Sequence, residues 1–141
     1  MNFHNNGKYS PEEELASLPG DYTRKMAINN NDVLYDYNRN YNTDKFFRFL
    51  NNVNNGIPDK IRITSFGIDG PAAIRILQYD GYIIRSITDV TRYIPNQYYD
   101  DYGYQIISQI RKSLSGAVLE DYFLITIDNK PVTIFSVYLQ Q

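Results

Sequence analysis

The dipeptide Asp80-Gly81 lies between two β-prone runs, residues 72–79 and 82–89, and constrains what this chain can fold into more than any other feature. A two-residue connection of that type signals a tight hairpin, because both residues tolerate the positive φ of a type I′ turn. The turn predicts a register in which Tyr79 faces Tyr82, Leu77 faces Ile84 and Arg75 faces Ser86 on one side of the sheet. Ile74 with Ile87, Ile76 with Arg85 and Gln78 with Ile83 then form the other side. Neither side is cleanly polar, so both faces of the hairpin need cover from a helix, the C-terminal third, a partner or their own long side chains.

The best helix precedes this hairpin. Phe46, Phe49, Leu50 and Val53 recur at i, i+3, i+4 and i+7 behind a cap at Asn42 or Thr43, and Asn54-Asn55-Gly56 closes the run. Two shorter helices are expected nearer the N-terminus. Ser10-Pro11-Glu12-Glu13 is a capped start whose only strong apolar residues are Leu15 and Leu18, which predicts weak packing, and residues 22–28 form a second short turn with Met26 and Ile28 as contacts. Residues 32–37 and 60–68 read as strands. Residues 104–114 alternate as a strand yet carry helix end signals, and residues 122–127 and 132–139 form a final hairpin around Asp128-Asn129-Lys130. The expected fold is α+β, an antiparallel meander of hairpins with one main amphipathic helix on a face and short N-terminal helices. Residues 1–21 read as a flexible lead-in with a capped helix, and residues 22–141 as a single domain.

Composition narrows the function classes. With 14 Lys and Arg against 16 Asp and Glu, the formal net charge is −2, and no cationic cluster stands out, so a nucleic-acid partner is not expected. The absence of Cys removes thiol nucleophiles, thiolate metal sites and disulfides together. No apolar run approaches the ~20 residues of a membrane helix. The polar start Met1-Asn2-Phe3-His4 lacks the plan of a signal peptide. The chain as given reads as soluble and leaves the compartment open, cell envelope or exterior if an export segment was removed and cytoplasm otherwise.

From residue 22 to about 127 the chain resembles the bacterial family known as domain of unknown function 4362. The resemblance rests on Tyr22-Thr23, Met26-Ala27-Ile28, Asn30, Asp32-Val33, Phe49-Leu50-Asn51-Asn52-Val53, Gly56, residues 59–64, Gly70-Pro71 and Tyr79-Asp80-Gly81. It implies a small protein of Gram-positive bacteria, often exported or lipid-anchored, and brings no catalytic residues with it. It also favours a strand for residues 104–114. The chain departs from the family in lacking its usual C-terminal Cys pair and export signal, which puts a secreted, disulfide-closed form in doubt.

Catalytic constellations fail on counting. The single His, His4, lies in the lead-in, so Ser-His and Cys-His nucleophiles and His-Cys zinc sites lack their members. Asp100-Asp101 and Glu120-Asp121 are the obvious carboxylates for a small hydrolase, but neighbours on a strand point to opposite faces. Asp32 and Asp36 do not follow calcium-loop spacing. No phosphate-cradling glycine loop is present, and no cofactor is implied. The most unusual local feature is the run Tyr93, Tyr98, Tyr99, Tyr102 and Tyr104, read as a loop over residues 93–104, since Tyr combines an apolar ring with a polar tip. AT-rich codons offer a compositional account of the many Tyr, Asn and Ile. The leading expectation is a non-enzymatic domain binding a protein or a glycan, with Tyr79, Tyr82, Tyr98, Tyr99, Tyr102 and Tyr104 as its surface. The alternatives are a carboxylate-dependent hydrolase and a cytosolic regulator that dimerises through a strand edge.

Overall fold

The structure, a computed structural model, describes residues 8–68 and 70–140, so the first seven residues of the lead-in, with His4, lie outside the described residues. Three helices, α1 (Pro11–Ala16), α2 (Arg24–Asn29) and α3 (Thr43–Asn54), accompany eight strands. These are β1 (Val33–Asp36), β2 (Arg39–Tyr41), β3 (Asp59–Ser65), β4 (Ala73–Tyr79), β5 (Ile84–Asp89), β6 (Tyr98–Lys112), β7 (Val118–Thr126) and β8 (Pro131–Gln140). They form one curled, mostly antiparallel sheet in the order β2-β1-β3-β4-β5-β6-β7-β8, a half-barrel within the expected α+β class. Only β1 and β3 run parallel, as the crossover through α3 requires.

The periodicity of α3 places Phe46 and Phe49 inside the curl, where the Phe46 ring meets Tyr122 at 4.9 Å and Phe135 at 4.7 Å. Asn42 adopts left-handed backbone and makes no side-chain cap; its amide donates to the Asp32 carbonyl at 2.8 Å. Val33, Ile61, Ile63, Leu77, Tyr79 and Ile84 complete this inner core. On the outer face, Leu34, Ile74, Ile76 and Ile87 pack against Leu15, Tyr22 and Ala27. The N-terminal helices therefore cover the second hairpin face. Helix α1 is capped by Ser10 as its sequence predicts, with the Glu13 amide donating to the hydroxyl at 3.2 Å. It is more firmly held than two leucines suggest, because Glu12 accepts from Arg85 at 2.7 Å and Glu14 from Arg62 at 2.8 Å.

Two local expectations are corrected. The β4–β5 hairpin pairs Tyr79 with Ile84, Leu77 with Ser86 and Arg75 with Thr88, two residues away from the tight-turn register. Only Gly81 has positive φ, and the Asp80 carboxylate accepts from the Tyr82 and Ile83 amides at 2.9 and 2.8 Å. That side-chain cap stabilises a four-residue loop in place of a type I′ turn. Because the slip is two residues, every side chain keeps its predicted face. The second correction concerns residues 98–104, which belong to the long strand β6 and not to a loop. A bulge at Tyr104 then shifts the pairing with β7.

The two edges of the sheet meet. The Asn40 amide nitrogen donates to Leu34 O at 3.2 Å and Ser136 O at 3.0 Å, while its oxygen accepts from the Tyr138 amide at 2.8 Å. One side chain thus takes the place of a strand at the seam between β2 and β8.

Candidate functional site

The seam opens at one end into a cleft of about 570 Å³ lined by Tyr35, Tyr37, Phe66, Arg111, Leu119 and Tyr138. Tyr35 on β1 and Tyr138 on β8 face each other across the seam, and their rings stack with centroids 5.5 Å apart and planes within 9°. The Tyr138 hydroxyl donates to that of Tyr35 at 3.1 Å, and burial together with this bond pushes the Tyr138 hydroxyl well above its usual range. Phe66 follows β3 and is fixed from behind by the Arg24 guanidinium, 4.8 Å from its ring centre and donating to Gly67 O at 2.6 Å. Arg111 donates to Asp121 at 2.7 and 3.1 Å, and Ser136 donates to the same carboxylate at 2.6 Å. Ser113 and Ser115, at the tip of the β6–β7 hairpin, supply hydroxyls at the rim. The cleft offers ring faces for stacking and a few placed polar groups, the usual composition of a small-ligand site.

The tyrosines singled out in the sequence do not converge. Tyr79 is buried, 6% exposed, in the inner core, so it presents no surface. Tyr82 is 77% exposed and packs edge-to-face on Tyr104 at 5.7 Å. Tyr98 and Tyr102 lie on the outer face of β6 with Asp100, and the Arg85 guanidinium sits 5.6 Å from the Tyr102 ring centre. Tyr99 lies on the opposite face, as strand alternation requires.

Nor are the candidate carboxylates brought together. Asp100 is held by Arg85 at 3.0 and 2.8 Å, whereas Glu120 accepts from Ser108 at 2.7 Å. From Asp100 to Ile110, which pairs with Glu120, strand β6 rises roughly 30 Å, far beyond the spacing of a glycosidase pair. Asp32 is buried and accepts from Tyr22 at 2.6 Å, Thr64 at 2.8 Å and Arg62 at 2.8 Å, while Asp36 is engaged by Arg24. Among the described residues no three His, Cys, Asp or Glu side chains gather as a metal site, and no helix is long and apolar enough to cross a membrane.

Sequence reasoning missed the cleft because its aromatic residues come from elements far apart along the chain, joined only by the curl of the sheet. The alternation of Tyr35 and Tyr37 was the one local signal. The model of the family described as Domain of unknown function (DUF4362) matches residues 30–114. No curated protein and no solved structure matches the chain.

Proposed function

From the premise that the chain belongs to the DUF4362 family, whose description assigns no activity, we propose that it is a non-enzymatic binding domain that takes a saccharide ring in the cleft beside the seam. The observation that carries this reading is the cleft itself: rings of Tyr35, Tyr37, Phe66 and Tyr138 around a space of about 570 Å³. A sugar presents an apolar face to such rings and hydroxyls to a polar rim, here Arg111, Ser113 and Ser115. The volume lies within the usual span for small-ligand pockets.

Amide chemical-shift mapping with a panel of mono- and disaccharides tests this. Saturable shifts are expected at Gly67 and along residues 113–117, and Tyr138→Ser is expected to weaken them by about tenfold, the loss of one stacked ring. Shifts confined to Tyr98 and Tyr102 would move the function to the outer face of β6, and the absence of any saturable shift would end the saccharide reading.

A further inference from the structure

Five arginines of this protein, Arg24, Arg62, Arg85, Arg92 and Arg111, each meet a carboxylate at 2.7 to 3.1 Å. Arg75 meets none among the described residues, although it is half-buried on the inside of the curl. It lies on the inner face of β4 in register with Ile63 and Thr88. Its Nε donates to Thr88 Oγ1 at 2.8 Å and one terminal nitrogen donates to Thr133 O at 2.6 Å. Both acceptors are neutral and occupy two of the five N–H donors of a guanidinium.

Asp101 on β6 is the described acid whose charge acts on Arg75, and the two make no ion pair. Burial lowers the Arg75 pKa to about 10, the mark of a cation without a matched anion. Beside it is a cavity of about 320 Å³, lined also by Tyr35, Ser65, Thr133, Phe135 and Ser136. A half-buried charge whose remaining donors open onto a cavity is under-used, and a planar guanidinium fork with free donors matches a carboxylate.

We propose that this cavity binds the carboxylate of a small monoanionic ligand, with Arg75 as its anchor. The site is separate from the aromatic cleft, sharing only Tyr35, and goes beyond the saccharide reading. A single positive charge with Asp101 nearby favours one negative charge over a phosphate dianion.

The test follows the Arg75 Nε–Hε resonance of the whole chain during titration with sodium acetate, against sodium chloride at matched ionic strength. A saturable shift with acetate and none with chloride is expected. Arg75→Lys keeps the charge but loses the fork and, followed through the backbone amide resonances of residues 133–136, should weaken acetate binding by about tenfold. Ser65→Leu, which fills the cavity and leaves Arg75 in place, should abolish it. An equal response to chloride, no saturation in the millimolar range, or unchanged affinity in Arg75→Lys overturns the proposal. Tyr37→Ser, which alters a cleft residue that does not line this cavity, should leave acetate binding intact, so either proposal can fail without the other.

Discussion

Charged side chains hold this molecule together at a few well-defined points, and each has a sign that pH can read. Arg111 beside Asp121, and Arg85 beside Glu12, hold both carboxyls below their ordinary values of 3.8 and 4.5. The unfolded chain therefore takes up these protons at a higher pH than the folded one. The stabilisation is full above the unfolded values and is lost as pH falls through the lower folded values. Urea midpoints measured over a pH series should drop below about pH 4. Asp121→Asn should flatten part of that drop while lowering the midpoint at neutral pH; an unchanged slope would mean that the Arg111–Asp121 contact is not populated in solution.

Strands and helices carry a different kind of constraint, that of space. Gly103 precedes the β6 bulge, and a Cβ there would lie 2.2 Å from the Ile125 carbonyl oxygen, a backbone atom that cannot step aside. Gly103→Ala is expected to cost about 1–3 kcal/mol, read from denaturant midpoints. Gly20→Ala, with nothing within 4 Å, is the matching control and should change little. Elements of this kind were legible to the extent that their signals are local. The spacing of Phe46, Phe49, Leu50 and Val53 identified α3, and alternation assigned both faces of the β4–β5 hairpin. What alternation could not supply was the Asp80 side-chain cap, which widens the loop and moves the register by two. The anchorage of α1 was hidden for another reason: its partners Arg62 and Arg85 lie 48 and 73 residues away from Glu14 and Glu12. Arg75 was visible as an arginine on an apolar face with Leu77 and Tyr79, but its solitude depends on where β6 and β8 curl.

At the scale of the whole molecule, β3 to β8 follow one another as a meander, so each of these ladders joins neighbours in the chain. The seam is the opposite case, since Asn40 bonds residues 96 and 98 positions away. Contacts of that separation carry a large loop-closure cost until the strands between them are in place. Closure of the half-barrel is accordingly expected late on the folding path. Asn40→Ala should reduce stability by about 1–3 kcal/mol. In stopped-flow experiments nearly all of that loss should fall on the unfolding rate, with refolding hardly slowed. The Asn40 amide would then set how long a folded molecule stays closed, and with it the lifetime of the cleft that lies along the same line.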